Sequence, residues 1–299
     1  MEASYAVAIA TLNRDRLLDL CLSALEKSLA GHPVPVIVVD NGSTDGTEKV
    51  ARGFEGRLNL RYVREPRTGL SYARNTAGEA CTTEYIIHLD DDAQPLPGWA
   101  GAIERGIEKW NPDVFGGGYR PFYLSPKPAW FDDRYGSADV DRAEGLFDEH
   151  THLNAGNAGW RVSLLRELGG FPIDLGMTGA TIAVGEETFL EMKLRKEYPQ
   201  ARLVFLPDMA MLHLVSAQKL TLSYWLKRYW ATGRSAAQIW HQKPRRSRIV
   251  RAVYRTALLA AHVAVIPIRN RRQFPYWQNY ALERVCPQIG ALASAWPRR

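Results

Sequence analysis

The chain has 299 residues, 46% of them hydrophobic, with a formal net charge of +6. That content builds a sizeable core and excludes a disordered chain; no run approaches the roughly 20 apolar residues that span a bilayer, and the opening Met-Glu-Ala-Ser-Tyr lacks the pattern of a signal peptide. Three cysteines, Cys21, Cys81 and Cys286, lie at neither disulfide nor metal spacing, which excludes a disulfide framework and points to a reducing, cytoplasmic setting.

Tyr5–Ala10 reads as a short buried strand. Asn13 is expected to cap a helix whose apolar residues Leu18, Cys21, Leu22, Leu25 and Leu29 recur at helical spacing. Pro35–Val39 is a second buried strand ending at Asp40, and Asn41–Gly46 has turn chemistry followed by a short helix. Leu58–Val63 reads as a third strand, Thr68-Gly69 opens a helix running to about Cys81, and Tyr85–Leu89 is a fourth strand. Strands alternating with helices predict an α/β fold, a mostly parallel sheet flanked by helices. Beyond Trp99 the pattern loosens. Val114-Phe115 reads as a strand, Pro121–Asp133 as a loop, Arg161–Leu168 and Thr188–Tyr198 as helices, and Ala201–Phe205 and Ala210–Val215 as strands.

The tail differs in kind. From Lys219 to Arg299 there are 16 Lys+Arg and one acid, Glu283, whereas residues 1–218 hold 22 basic and 31 acidic residues. Such a division implies two tasks: the acidic part suits a cation, and the basic part suits an anionic membrane, a phosphorylated acceptor or nucleic acid. Leu222, Trp225, Leu226 and Tyr229 share one helical face. The apolar stretch Thr256–Ile268 is flanked by Arg248, Arg251 and Arg255 before it and by Arg269, Arg271 and Arg272 after it. It is too short to span a membrane but long enough to lie in its interface; a helix packed on the catalytic domain is the alternative.

Three successive aspartates, Asp90-Asp91-Asp92, follow the fourth strand. Like charges this close repel unless a cation or hydrogen bonds offset them, and carboxylate clusters suit hard cations whose coordination is completed by substrate phosphates. In open α/β sheets ligands bind at the carboxyl ends of strands. These facts point to a metal–phosphate site; an acidic, solubilising turn is the alternative.

Five segments in order resemble the inverting family 2 glycosyltransferases of GT-A fold: Val7–Arg14, Val38–Thr47, Gly69–Asn75, Leu89–Asp92 and Gly185–Glu187. The resemblance implies a Rossmann-like catalytic domain over 1–215, with a nucleotide-binding half (1–110) and an acceptor half (111–215), followed by a basic, aromatic-rich helical region, 216–299. It implies metal-dependent transfer of a sugar, with inversion, from a nucleotide-sugar donor, a UDP-sugar, to a hydroxyl acceptor on a sugar, glycolipid or small molecule. It makes Asp40 the uracil-binding acid and puts Thr11 and Arg14 beside the nucleotide; Arg67, Gly69, Arg74 and Asn75 belong to the third strand-to-helix passage, where a helix start favours anions, so they are candidates for the nucleotide or its diphosphate, a surface arginine being the alternative for Arg74. Asp90 and Asp91 would serve the ribose or the metal's shell, and Asp92, with Asp90 and His213, would hold Mg²⁺ or Mn²⁺. Glu187 would be the general base, with Glu186 beside it, although the family usually carries Glu-Asp here. Asn154–Trp160 resembles the segment beneath the acceptor, where Trp160, like Trp130, is a candidate for stacking on a sugar. A sugar-phosphate nucleotidyltransferase is a rival, but Thr11–Arg14 lacks its glycine-rich loop. A non-catalytic nucleic-acid-binding protein would use the tail's charge yet leave the acids unexplained, so no nucleic-acid partner is expected. An anionic membrane surface is a candidate partner for the tail, with the protein peripheral on the cytoplasmic face.

Overall fold

The computed structural model describes residues 4–148, 151–154, 156–174, 185–239, 245–268 and 272–293. Two compact units result: Met1–Phe122 with Gly136–Asp174 and Glu186–Leu214, and Tyr123–Tyr135 with Leu175–Gly185 and Val215–Arg299.

The first unit opens with β1 (Tyr5–Thr11), α1 (Asp15–Ser28), β2 (Pro35–Asp40), α2 (Thr47–Gly53), β3 (Asn59–Arg64), α3 (Leu70–Ala80) and β4 (Tyr85–Leu89). Strands β1, β2 and β4 are apolar on both faces and buried on both, as central parallel strands must be. α1 turns Leu18, Cys21, Leu22 and Leu25 inward. Its cap position is Arg14. Asn13 instead sits at φ 53° and accepts hydrogen bonds from the Thr44 backbone N–H and hydroxyl, so its side chain ties two turns together.

After β4 come β5 (Ala93–Pro95), α4 (Trp99–Trp110), β6 (Val114–Gly116), β7 (Tyr119–Phe122), β8 (Gly145–Leu146), β9 (Asn157–Arg161), α5 (Val162–Glu167), α6 (Glu186–Glu197), β10 (Leu203–Phe205) and β11 (Met211–Leu214). The main sheet has the order β3-β2-β1-β4-β9-β6-β10-β8. Within it β9 and β8 run against the other strands. A second sheet, β5-β11-β7, pairs His213 with Ala93 and so folds the end of β11 back over the aspartate turn. One core layer, with Leu22, Val38 and Trp99, covers one face of the main sheet, and another, with Ala77, Trp160 and Phe171, covers the opposite face. Trp160 is therefore a core side chain, edge-on to Phe171, and is not available to stack on a sugar.

The second unit contains α7 (Leu222–Ile239), α8 (Arg245–Val265), α9 (Trp277–Tyr280), a π-helical turn (Ala281–Val285) and α10 (Cys286–Ala293). Trp225 of α7 is half-buried and donates to Lys219 O (2.8 Å), but Leu226 is exposed, so the apolar face read from the sequence is only partly covered. Glu283, the one acid of the tail, is bound by Arg134 and by the Tyr135 hydroxyl (2.7 Å). Among the described residues no helix is long and apolar enough to cross a membrane.

Candidate active site

The parallel register sets Thr11 beside Asp40 and Asp40 beside Arg64, while β4 pairs with β1 on its other side. Residues at the carboxyl ends of these strands thus share one edge of the sheet, the usual ligand edge of such folds.

The aspartate turn is the centre of this edge. A carboxylate oxygen of Asp90, one of Asp92 and a ring nitrogen of His213 all lie within 4.8 Å of one another. His213 Nε2 is 3.2 Å from Asp92 Oδ1 and 3.8 Å from Asp90 Oδ2. The Tyr119 ring, centred 5.0 Å from the imidazole, limits its swing. Hard carboxylate oxygens with one imidazole form a donor set that suits Mn²⁺ or Mg²⁺. Gly156 lets this happen: a Cβ there would intrude on the Asp90 carboxylate, and its carbonyl accepts from Asp90 N at 3.2 Å.

Asp91 points elsewhere. It is buried, and Arg14 Nη1 donates to its Oδ1 at 2.7 Å while reaching Asp92 at 3.4 Å. Burial lifts the Asp91 carboxyl to about 6, with Arg14 pulling down and the charges of Asp92 and Asp90 pushing up. Asp91 thus anchors Arg14.

The second acidic group begins α6. Glu186 is buried, and Arg74 of α3 donates to its Oε1 at 3.1 Å; the same guanidinium lies 3.5 Å from Asp90 Oδ1. Arg74 therefore joins the aspartate turn to the start of α6. Burial raises the Glu186 carboxyl to about 7, the charge of Glu187 adds to the rise, and Arg74 opposes it. Oε2 of Glu186 and Oε2 of Glu187 are buried with no hydrogen-bond partner among the described residues. Glu186 thus presents a carboxylate of raised proton affinity beside Glu187 at the start of α6.

The remaining predicted residues build the neighbouring wall. Asp40 is fully buried; Ser43 N donates to its Oδ1 and the Tyr62 hydroxyl to its Oδ2, each at 2.7 Å. A ligand reaches this carboxylate only if Tyr62 or the Asn41–Gly46 turn yields. Thr11 O accepts from Asn41 N (2.8 Å), and Asn41 in turn accepts from Gly69 N and donates to Arg67 O, both at 2.6 Å. Arg67 turns its guanidinium to Glu65 (2.7 Å) and over the Tyr72 ring. Asn75 clamps the backbone of Phe171, donating to its carbonyl (2.9 Å) and accepting from its N–H (2.7 Å). The structure thus brings together Arg14, Arg74, Asp90, Asp91, Asp92, Glu186 and His213, and leaves Asp40, Arg67 and Asn75 engaged with backbone and side-chain partners outside that group.

Three supporting side chains received no role of their own from the sequence, although Asn157 lies within the Asn154–Trp160 segment. Glu65, held near 2 first by Arg67 and also bonded by the Thr76 hydroxyl, ties the β3–α3 passage. Asn157 is buried between Trp99 Nε1 (2.9 Å) and Met209 O (2.6 Å), fastening β9. Glu191, one helical turn past Glu187, accepts from Leu153 N (3.0 Å) and pairs with His152 (3.1 Å). Spacing gives a signal only for Glu191, four residues after Glu187; nothing distinguishes Glu65 from a surface acid.

A family model described as Glycosyl transferase family 2 matches residues 6–169, more than half of the chain. A hyaluronan synthase of Pasteurella multocida is 33% identical over 100 residues, which make up 33% of this chain and 10% of that protein. A validoxylamine A glucosyltransferase of Streptomyces hygroscopicus subsp. limoneus is 38% identical over 101 residues, 33% of this chain and 22% of that protein. The chain thus matches only a minor part of the length of either curated relative. Among solved structures, mannosyltransferase PcManGT from Pyrobaculum calidifontis, in complex with GDP-Man and Mn²⁺, superposes with a TM-score of 0.63 at 20% identity, covering 98% of this chain and 85% of that one. A segment of S. aureus TarS in complex with UDP gives 0.57 at 16% identity, covering 98% and 91%. These likenesses establish the GT-A fold. With its strand-end motifs, its sheet order and the family match together, the chain belongs to glycosyl transferase family 2.

Proposed function

We propose that the protein transfers a sugar, with inversion, from a nucleotide-sugar to an acceptor hydroxyl on a sugar, glycolipid or small molecule, using Mg²⁺ or Mn²⁺. The observation that carries this reading is the convergence of Asp90, Asp92 and His213 within 4.8 Å, with Arg74 reaching from Asp90 to Glu186. Asp90, Asp92 and His213 would hold the ion, whose chemistry is Lewis-acid stabilisation of negative charge on the leaving nucleoside diphosphate. Glu187 takes the acceptor's proton as its oxygen attacks the anomeric carbon and the bond to the diphosphate breaks on the opposite face. Glu186, whose carboxyl burial raises to about 7, stands beside Glu187 and is held by Arg74. Arg14 and Arg74 fix the carboxylates and add positive charge where the diphosphate would lie. A UDP-sugar is the first donor to test, a choice supported by the family resemblance and by the UDP held in TarS; the GDP-Man of PcManGT makes guanosine-linked donors the second. The three cysteines are buried free thiols, which suits the cytoplasm, where we place the enzyme.

A screen of nucleotide-sugars with Mn²⁺ or Mg²⁺, following release of nucleoside diphosphate without acceptor, tests the reading. Metal-dependent turnover that disappears in Asp92→Ala is expected. Turnover indifferent to chelation, or undiminished in Asp92→Ala, overturns the metal assignment, and no turnover of any donor overturns the activity.

A further inference from the structure

α8 is turned the wrong way round for a helix in water. Its inward side, with Leu259, packs on Phe274, Tyr280 and Val285, as does Ile266 just beyond its end. Polar ties lie there too: Arg255 donates to Gln288 at 2.9 Å, and His262 meets the Tyr280 hydroxyl at 3.0 Å. The outward side of residues 253–265 carries no charged residue among the described side chains. Val250, Val253 and Tyr254 are 67%, 65% and 59% exposed, and Val263 and Val265 are exposed as well. The rest of that face is alanine and one threonine, Thr256. A surface helix normally shows its polar stripe to solvent, and a continuous apolar face marks something that covers it.

Charge identifies the cover. Arg248, Arg251 and Arg255 precede the stretch, Arg269, Arg271 and Arg272 follow it, and Glu283 is the one acid between Lys219 and Arg299; Arg269 and Arg271 lie outside the described residues. Glu283 is already bound by Arg134 and Tyr135. A second copy laid symmetrically on the stripe would set arginines against arginines without acids to offset them. Nucleic acid would use the cations and leave the valines wet. An anionic lipid surface satisfies both: headgroups pair with the flanking cations while the stripe enters the acyl boundary. Tyr276 and Trp277, both exposed just after Arg272, are the side-chain types that favour that boundary. We propose that α8 lies in the interface of an anionic membrane, apolar stripe down, and holds the protein there reversibly.

Flotation of the full chain with phosphatidylserine–phosphatidylcholine vesicles tests this, with circular dichroism and thermal melting as controls for folding. The wild type is expected to float with anionic vesicles at low salt, to bind phosphatidylcholine alone at least about tenfold more weakly, and to be released by high salt. Val253→Asp and Val250→Asp change solvent-facing positions, so folding is retained and flotation is lost; Arg248→Glu with Arg272→Glu weakens it. Absence of flotation at low salt overturns the proposal, as does undiminished binding by folded Val253→Asp. A concentration-dependent dimer that Val253→Asp dissolves, with no vesicle binding, also overturns it and assigns the stripe to a second copy. None of these readouts depends on sugar transfer.

Discussion

Arg74 Nη1 donates to Glu186 Oε1 across 3.1 Å, and both side chains are buried. The pair spans 112 residues of sequence. Breaking a buried pair strands its partner, so Arg74→Ala should cost about 3–5 kcal/mol in denaturant unfolding at pH 8. The loss should shrink near pH 5.5, because Glu186, held up at about 7, is then protonated and needs no cation. A cost that does not change with pH would remove Glu186 from the pair.

Glu186 also shapes wild-type stability. Its folded carboxyl binds a proton more readily than its ordinary value of 4.5 allows. The contribution is therefore present in full below about 4.5 and is lost as pH rises through about 7. Urea midpoints between pH 4.5 and 8 should fall along this slope, and Glu186→Gln should flatten it.

At the candidate metal site, Asp92→Asn and His213→Ala should each cut metal-dependent donor turnover by about 10²–10³-fold, the loss typical when a group that stabilises developing charge is removed. Calorimetric titration with Mn²⁺ should show weaker binding in both, with unchanged circular dichroism. Wild-type Mn²⁺ affinity in His213→Ala would exclude the imidazole as a ligand.

Glu187→Gln should lower kcat by about 10²–10⁴-fold with little change in donor KM, as expected when a general base is lost and no donor contact is removed. The wild-type pH–rate profile should rise with pH through about 7, as the neighbouring Glu186 gives up its proton. A variant with its loss in KM instead would make Glu187 a binding residue.

Gly156→Ala tests geometry without touching a ligand. The added methyl would press on the Asp90 carboxylate, so Mn²⁺ binding should weaken while thermal unfolding changes far less than for a core substitution. Normal metal affinity in this variant would show that Asp90 can move freely.

How far the sequence spoke can be traced to particular residues. β1, β2 and β4 were legible because a strand buried on both faces is a continuous apolar run with a clear end. β9 was not, since Asn157–Arg161 contains two small residues and carries no alternation. α4 was missed for a related reason: its buried side includes the small residues Ala100, Ala102 and Gly106, the last of which lets Leu206 approach closely. At the site, the aspartate turn and Glu186-Glu187 were readable as motifs, but charges do not announce their partners. Arg67 looked placed for a phosphate and is bound to Glu65; Asn75 looked the same and holds Phe171. Trp160, a candidate platform by residue type, is interior by topology.

The Arg14 guanidinium rests on Asp91 and Asp92, inside the cluster of like charges that follows β4. An acidic turn that carries its own resident counter-ion does not rely on an incoming cation to keep its shape. The cation proposed for this turn would then load and leave without the strand ends having to refold around it.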